Sequence, residues 1–579
     1  MKPLLCTILC FLLLFSCIGC KEDTQQSTPS IALTSAPPVV IPSSPLSDEE
    51  QITDRDRSGA FDPASATTLT LPQKGEQLSI TQEGVYLLKG TGTGQIFINA
   101  TVDAKIQLVL QGVTLHNETS APIYVKQANK VFITLAEDTE NTLSAGETFT
   151  QTDENKVDGV IFAKDDLTLN GSGKLTLTAL GSHGIVAKDD LVFGGGQYHI
   201  TATGHGISAN NSIRVAEGTF AVTAQKDGMK VEHDTDETKG YLYVEQGNFT
   251  ITANQDALSA SGICQIQKGD FTLTTKGTQS TESAKGLKAG NDLFIQAGTF
   301  TLNTTDDGFH SNQNLTIQAG TFTIASGDDG MHADGDLTLA GGTVTITNSY
   351  EGLEGHTVTV AGGTHTITAS DDGINSAGGN DQSGYGGFGG DQFAVDENAF
   401  IHIADGTLTI HAQGDGVDSN GIVRVSGGQT YVYGPTNGGN GALDGNGSKE
   451  ISGGIFVAVG SSQMAENFDL ATQGAALVSL NGSANTPLTL TDQQGTALIT
   501  CTPSKTYQCA VVSCPQMVQG GSYTLSAGNA TTTFTLNELV YSQITGGMGM
   551  PGGGPGGMPG GGMPGGGPGG MPGGGMPGR

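Results

Sequence analysis

Tryptophan is absent from this 579-residue chain, and positive charge is scarce. Lysine and arginine together number 25, five of them arginine, against 57 acidic residues, which gives a formal net charge of −32. Because so acidic a surface repels nucleic acids and anionic membranes, neither is an expected partner. Divalent cations are the natural counterions of such a chain.

Cysteine offers little for building a metal centre. Three of the eight cysteines lie in the first seventeen residues, and a fourth is Cys20. The other four show no zinc-type spacing with histidine; they are Cys264, Cys501, Cys509 and Cys514. The last three are close enough in sequence to form one disulfide in an exported protein, but spacing does not determine the pairing.

The N-terminus has the pattern of an export signal. An apolar run from Leu4 to Phe15, too short for a permanent membrane span, leads to small residues before Cys20. Gly19 directly before Cys20 resembles a bacterial lipobox. Residues 1–20 are therefore predicted to be a lipoprotein-type signal peptide, with a lipid anchor on Cys20 at the bacterial cell surface. Plain secretion is the alternative, since Cys17 stands where that pattern usually has Leu.

Low-complexity segments flank the bulk of the chain. Residues 21–60 are rich in Ser, Thr, Pro and Gln without a sustained apolar period, which predicts a solvated linker. Residues 546–579 repeat Gly, Met and Pro without the strict triplet of collagen, which predicts a disordered tail. About 480 residues lie between them, enough for one long domain and a small one.

The central region carries a repeat. Glycines recur at intervals of 21 or 22 residues in two series, which are Gly184, Gly206 and Gly228, then Gly286, Gly308, Gly330, Gly352 and Gly373. A fixed period of this length indicates stacked turns, each of which buries its apolar side only against its neighbours.

Within each repeat the alternation is that of strands. The residue after the glycine is apolar and the residue two places further is small, as at Met331 and Ala333. Two more short Thr/Val/Ile runs complete each repeat. The sequence therefore predicts an all-β fold, with a right-handed parallel β-helix over residues 61–454. The period is lost from residue 455 to 545, where a small antiparallel β domain is predicted.

Stacking would place equivalent residues of successive turns about 4.8 Å apart. Acidic residues near the repeat glycines then form columns that contain Asp306, Asp307, Asp328, Asp329, Glu351, Asp371 and Asp372, with Asp415 further on. Carboxylates at this spacing repel one another unless a cation lies between them. Oxygen ligands on glycine turns suit a hard cation, so Ca²⁺ is the predicted metal. The alternative is ordinary turn chemistry, in which the carboxylates are solvated and cap turn amides.

A second column consists of the residue two places after each glycine. It contains Lys230, Lys288, His310, His332, Glu354, Asn375 and Asp418. Such a polar stripe either lines a saccharide groove or is the solvated face of the fold. Without tryptophan, the aromatic candidates for sugar stacking are Tyr350, Tyr385, Phe388, Tyr431 and Tyr433. The predicted carbohydrate-binding residues are His310, His332, Tyr350, Glu354, Asn375, Tyr385 and Phe388.

Several segments resemble the bacterial carbohydrate-binding β-helix proteins, which are similar in fold to pectate-lyase-type polysaccharide lyases. The resemblance rests chiefly on residues 328–337, 349–355 and 370–375, and it extends from about Val85 to Tyr541. It implies calcium in the acidic turns and binding of plant-type polysaccharide, pectic or cellulosic, without demonstrated cleavage.

Two alternatives to a binding protein remain open. A polysaccharide lyase needs calcium to neutralise a uronate and a basic residue to abstract the adjacent proton, a role for which Lys230 and Lys288 are the candidates. A structural surface adhesin is the second alternative. The sequence favours a calcium-binding, non-catalytic polysaccharide-binding surface protein that is monomeric.

Overall fold

The computed structural model describes residues 38–47, 51–277, 283–376 and 395–544. Within these ranges the protein is all-β, with a single four-residue helix, Asp54–Arg57. Most of the strand pairs are parallel. The prediction of an all-β chain built on parallel strands is confirmed.

Most strands belong to three parallel ladders, in which each strand pairs with its counterpart in the next repeat. Ladder A contains Gln77–Ile80, Gln95–Asn99, Ile123–Gln127, Gly159–Ala163, His183–Ala187, Ile207–Ala209, Met229–Val231, Leu258–Ala260, Leu287–Ala289, Phe309–Ser311, Ile374–Ser376 and Val417–Ser419. Ladder B contains Thr67–Thr70, Gly84–Gly92, Lys130–Leu135, Asp166–Gly171, Asp190–Phe193, Ser212–Val215, Tyr241–Val244, Cys264–Ile266, Leu293–Ile295, Leu315–Ile317, Phe400–Ile403, Ile422–Val425, Lys449–Ile451 and Leu470–Ala471. Ladder C contains Glu140–Ala145, Lys174–Ala179, Gln197–Ala202, Thr219–Ala224, Asn248–Ala253, Asp270–Thr275, Thr299–Asn303, Thr321–Ala325, Thr343–Asn348, Thr364–Ala369, Thr407–Ala412, Gln429–Tyr433 and Ile455–Gly460.

Three long strands join the ladders to one another. Met331–Leu339 and Leu353–Val360 pass from ladder A into ladder B, and Lys105–Asn117 pairs in both ladder B and ladder C. The register follows the sequence period, since Phe309 pairs with Met331, which lies 22 residues further along. The inward apolar residues of all three ladders form one continuous core.

A file of stacked aromatic rings runs through this core on the inner side of ladder C. The rings of Tyr198, Phe220, Phe249, Phe271, Phe300 and Phe322 follow one another with centroids 4.6 to 5.0 Å apart. Adjacent planes are within 15° of parallel. Because each ring is almost fully buried, the file contributes both apolar burial and ring contacts to stability.

Antiparallel pairing begins where the repeat ends. Ile455–Gly460 pairs with ladder C on one edge and antiparallel with Tyr507–Ser513 on the other. Tyr507–Ser513 also pairs with Ala475–Gly482, which pairs in turn with Val540–Ser542. A separate antiparallel sheet contains Ala497–Cys501, Leu488–Asp492, Ser522–Ala527 and Ala530–Thr535, in that order. All four cysteines in the described ranges are free thiols, so the possible disulfide does not form there.

Part of the predicted linker contacts the body of the protein, although most of its described residues are exposed or half-exposed. Asp56 is buried, where its carboxylate accepts a hydrogen bond from Thr168 Oγ1 at 2.6 Å and pairs with Lys130 Nζ at 2.7 Å. The Leu46 backbone exchanges hydrogen bonds of 2.8 and 3.3 Å with the side-chain amide of Gln265. This N-terminal segment therefore lies on the outer face of ladder B, because its polar groups find partners there.

Several predictions concern residues outside the described ranges. These are the signal peptide with Cys20, the aromatic candidates Tyr385 and Phe388, and the Gly/Met/Pro tail. In the ranges that are described, no helix has the length and apolar character needed to cross a membrane.

The aromatic file generates a stability prediction. Phe271 is stacked between Phe249 and Phe300, with both centroid distances at 4.6 Å. We expect Phe271→Ala to lower the free energy of unfolding by about 3–5 kcal/mol, because it opens a cavity in a packed core. Urea unfolding followed by circular dichroism measures the change. Phe400→Ala, at a ring that is 37% exposed, is the control and should cost less than about 1 kcal/mol. Equal losses in the two variants would contradict the role given to the file.

Candidate metal site and the adjoining groove

One position of the repeat forms a column of interacting side chains, here named the acid column. It is the residue immediately before the repeat glycine, on the turn that leads into ladder A. Asp307 Oδ1 accepts a hydrogen bond from the Asp329 backbone N–H at 3.0 Å, and Asp329 Oδ1 accepts one from the Glu351 N–H at 3.2 Å. Asp227 and Asp256 make the same contact at 3.0 Å. One oxygen of these carboxylates thus caps a turn amide, as the alternative of ordinary turn chemistry predicts.

A lysine and a histidine contact the acid column near Asp307. Lys285 Nζ lies 2.6 Å from Asp307 Oδ2 and 2.9 Å from Asp306 Oδ1, and His310 Nδ1 lies 2.8 Å from Asp307 Oδ2. Burial acts to raise the pKa of Asp307, but the His310 hydrogen bond and the Lys285 charge hold it well below its usual range. Asp306, Asp307 and Asp328 lie close enough together to share a metal ion. The Lys285 ammonium is already the counterion of Asp306 and Asp307.

His332 is the centre of a buried ion cluster. Its Nδ1 lies 2.6 Å from Glu354 Oε2 and 3.2 Å from Asp329 Oδ2, and its Nε2 lies 3.1 Å from Asp334 Oδ1. Burial acts to lower the pKa of His332, but the hydrogen bonds to Asp329 and Glu354 raise it to about 12. The ring is therefore an imidazolium at neutral pH, which has no free lone pair for a metal.

The other end of the acid column, named here the Asp372 cluster, lacks such cations. It comprises Asp372, Asp415 and Asp418, which each place one carboxylate oxygen within 4.8 Å of the others. No lysine, arginine or histidine in the described ranges forms an ion pair with any of the three. Asp372 Oδ1 accepts the Asp415 N–H at 2.5 Å, and Asp415 Oδ1 accepts the Gly441 N–H.

Asn375 is a neighbour of this cluster along ladder A. It is the cross-strand neighbour of Asp418 in ladder A and is only 6% exposed. Its Nδ2 donates to Glu351 Oε2 at 2.9 Å, but its Oδ1 is buried without a hydrogen-bond partner. A buried carbonyl oxygen without a donor is costly, and a cation would satisfy it. The donors are all oxygens, so the cluster fits a hard cation.

The pKa values of the Asp372 cluster reflect the missing positive charge. Burial, together with the neighbouring carboxylates, raises the pKa of Asp372 to about 8 and that of Asp415 to about 7. Burial and the charge of Asp444 raise the pKa of Asp418 to about 6. These groups must share protons or a metal ion at neutral pH, because full ionisation without either is unfavourable.

The predicted polar stripe is largely buried. His310, His332, Glu354 and Asn375 are at most 6% exposed, because the first three take part in the ion pairs described above and Asn375 hydrogen-bonds Glu351. These four residues are therefore not part of a solvated face, which is one of the two alternatives for the stripe. Their assignment to carbohydrate stays a prediction.

The other predicted metal and carbohydrate residues in the described ranges have different surroundings. Burial and the charge of Glu354 raise the pKa of Glu351 to about 9. Tyr350 is half-buried, and a hydrogen bond to the Asp371 carboxylate raises its pKa. Asp371, which is adjacent to Asp372 in sequence, therefore directs its carboxyl group at the Tyr350 hydroxyl.

The accessible part of the stripe is a groove at Lys230 and Lys288. The two lysines pair in register with Ser259 between them, and all three line a groove of about 440 Å³. Asp227 and Asp256 also line it. Lys230 Nζ pairs with Glu232 at 2.8 Å, and Lys288 Nζ donates to Ser283 Oγ at 3.5 Å.

Several residues of these clusters lie outside the predicted metal set. The sequence places Asp418 in the polar stripe, whereas its carboxylate oxygen lies with those of Asp372 and Asp415. Lys285 precedes Gly286 and so occupies an acid-column position, a signal that the glycine spacing contains. A further acidic group comprises Asp166, Asp189 and Asp190, and its signal in the sequence is a pair of Ala-Lys-Asp-Asp segments 24 residues apart.

Comparisons with known proteins point to one family. A family model described as carbohydrate-binding domain-containing protein matches residues 74–330 and 328–527, more than half of the chain. A protein of Acetivibrio thermocellus with the same description is 38% identical over 129 residues, which are 22% of this chain and 45% of that protein. A solved structure, described as a polysaccharide lyase-like protein from C. thermocellum in a gadolinium derivative, is 30% identical. It covers 39% of this chain and 96% of its own, with a TM-score of 0.36.

The Asp372 cluster generates a pH prediction for the metal-free protein. The folded pKa values of Asp372 and Asp415, about 8 and about 7, exceed the unfolded value near 4. The folded state therefore holds protons that the unfolded state releases, so this contribution to stability is full below about pH 4 and is lost as pH rises to about 8. In EDTA, we expect the thermal unfolding midpoint to fall by several degrees between about pH 5 and pH 8.

An asparagine substitution isolates this effect. Asp415→Asn keeps the oxygen that accepts the Gly441 N–H but cannot ionise, so it should flatten the pH dependence. The matched control is Asp405→Asn at an exposed turn carboxylate, which should leave the slope unchanged. A slope that is the same in all three proteins would show that the cluster does not titrate in this range.

Proposed function

This chain belongs to the family of carbohydrate-binding domain-containing proteins, and from that membership we propose that it is a calcium-binding, non-catalytic polysaccharide-binding protein of the bacterial cell surface. The observation that carries the calcium assignment is the Asp372 cluster, whose half-buried carboxylates have no ion-pair partner among the described residues. The expected glycans are pectin-like or cellulose-like polymers.

The fold that we propose for residues 61–454 is a right-handed parallel β-helix in which ladders A, B and C are the three faces. The support is the offset of 22 residues between strands that pair in all three ladders, as at Ile207 with Met229, Leu293 with Leu315 and Phe300 with Phe322. Parallel crossovers have a strong right-handed preference. Residues 455–545 would then form the small antiparallel domain.

Calcium is assigned to the Asp372 cluster rather than to the whole acid column. Asp372, Asp415 and Asp418 would hold the ion, and the buried Oδ1 of Asn375 would be satisfied beside it. Calcium supplies the positive charge that the cluster lacks. At Asp306 and Asp307 an ion would first have to displace the Lys285 ammonium, so the calcium site predicted there is the weaker candidate.

A calcium ion also offers a route by which an anionic polymer approaches so acidic a protein. A uronate carboxylate shares the ion with the protein carboxylates, so the repulsion between two negative chains becomes an attraction. Binding of polygalacturonate would then depend on calcium.

The location that we propose is the bacterial cell surface, with a lipid on Cys20. Support comes only from the signal-like N-terminus of the sequence. The protein is proposed to be monomeric, and secretion without a lipid is the alternative.

A calcium titration tests the metal assignment. At pH 7, millimolar calcium should raise the unfolding midpoint of the unaltered protein, because the ion binds the folded state alone. The double variant Asp372→Asn with Asp415→Asn should bind calcium at least about tenfold more weakly by calorimetry. The matched variant Asp306→Asn with Asp328→Asn should keep most of the affinity. If the Asp306→Asn with Asp328→Asn variant lost more calcium affinity than the other, the calcium site would lie at the Lys285 end of the column.

Retention on immobilised glycan tests the function itself. We expect the full chain to be retained on polygalacturonate in calcium and released by EGTA, because the ion bridges two sets of carboxylates. The Asp372→Asn with Asp415→Asn variant should be released in calcium as well. If the unaltered protein is retained on neither polygalacturonate nor cellulose, the binding function is wrong and the structural adhesin takes its place.

A calcium-dependent polysaccharide lyase is the second candidate, favoured by one observation. Lys230 and Lys288 line the same groove as Asp227 and Asp256, which places two potential bases beside two carboxylates. We expect no rise in ultraviolet absorbance from unsaturated uronide when the protein is incubated with polygalacturonate and calcium. A rise that Lys288→Ala or Lys230→Ala abolishes, with binding retained, would make the protein a lyase.

A further inference from the structure

The outer face of ladder C is a regular array of threonines, named here the threonine face. Over seven successive strands, from Asn248–Ala253 to Thr407–Ala412, the central outward position is threonine every time, from Thr250 to Thr409. A second file starts at Thr299 and is threonine in five successive strands. Each central threonine pairs with the next in register, so the array has no gap.

The geometry of this face is that of a two-dimensional lattice. Neighbouring strands lie about 4.8 Å apart, and alternate residues along a strand lie about 6.6 Å apart. Threonine is β-branched and stiff at χ1, so each hydroxyl and each methyl group is held in a narrow range of orientations. The central threonines are exposed or half-exposed, and their hydroxyls have no hydrogen-bond partner in the part of the chain that the structure describes.

The threonine face is almost uncharged on a protein with a net charge of −32. Within the two files that contain Thr250 and Thr299, Asp270 is the one charged residue over the seven strands. An anionic polymer finds no positive charge on this face and is repelled by the protein as a whole, whereas a neutral polymer is not repelled. The charge pattern therefore favours a neutral partner over an anionic one.

The other two outer faces are less open to a large partner. On ladder A, the side chains of His310, His332 and Glu354 are buried in ion pairs. On ladder B, the N-terminal segment covers the outer face at Thr168 and Gln265. The chain also has no tryptophan on which a sugar ring could stack. The threonine face is thus open and regular where the other two outer faces are partly covered or buried.

We propose that the threonine face binds the flat surface of an ordered, neutral polysaccharide, in which parallel chains present hydroxyl groups at a fixed repeat. Each threonine contributes a weak hydrogen bond or methyl contact, and the rigid lattice makes many of them at once with little loss of conformational entropy. The inference rests on the proposed polysaccharide function and goes beyond it, because this binding needs no calcium and involves none of the acid column.

The test is retention of the full chain on microcrystalline cellulose in EDTA. Thr301→Lys with Thr323→Lys places two charges in the middle of the face and should weaken retention about tenfold or more, since it desolvates ammonium groups against a neutral surface. Thr301→Val with Thr323→Val keeps shape and strand preference but removes two hydroxyls, and should weaken retention by a factor of a few. Thr531→Lys, at an exposed threonine of the four-stranded sheet, is the control and should bind like the unaltered chain.

Each outcome separates the two proposals. The circular dichroism spectrum and unfolding midpoint of every variant establish that it is folded. Unaltered retention of the folded lysine variant would overturn the inference, as would retention of the unaltered chain on polygalacturonate in calcium but never on cellulose. Retention on neither polymer would overturn both the inference and the proposed function on which it rests. If the unaltered chain shapes growing ice crystals but does not bind cellulose, the face recognises ordered water and the polysaccharide assignment is wrong.

Discussion

Parallel pairing in a fixed register makes every side chain a neighbour of its own counterparts in the repeats before and after it. The distance between counterparts is set by the backbone at about 4.8 Å and is the same for every residue type. Apolar positions benefit, as the stacked rings from Tyr198 to Phe322 demonstrate. Acidic positions do not, because the same distance brings like charges together at each step. Many of the polar contacts in this protein compensate for the repulsion between stacked carboxylates.

Two kinds of contact offset the repulsion between carboxylates in the acid column. Oδ1 of Asp307, Asp329 and Asp372 caps a backbone amide of the next repeat, so these carboxylates are needed even where no metal binds. The remaining negative charge is balanced at one end of the column by Lys285 and by the His332 imidazolium. At the other end, no cationic side chain in the described ranges pairs with Asp372 or Asp415, and the pKa values of both carboxyl groups are raised. One repeated motif thus yields a closed ion-pair network and a candidate cation site.

The three outer faces differ because of what covers them. On ladder A the polar side chains form buried ion pairs. On ladder B the N-terminal segment covers the outer face, and its Asp56 side chain contacts Thr168 and Lys130. Ladder C is open and carries threonine in register. A cation site and a neutral lattice on one rigid body would allow anionic and neutral polymers to bind at different places.

The amino-acid sequence by itself determined the strands and their columns. Glycine spacing, with an apolar and a small residue at Met331 and Ala333, predicted parallel strands, because short strands of this kind bury their apolar side only by stacking. The same period placed Asp307 beside Asp329, since register follows the repeat. Tertiary structure alone decided which carboxylates have a counterion, that His332 is buried, and that the segment before residue 61 packs on ladder B. Those outcomes depend on distances between side chains remote in sequence and on burial from water, and neither quantity is encoded in a local pattern.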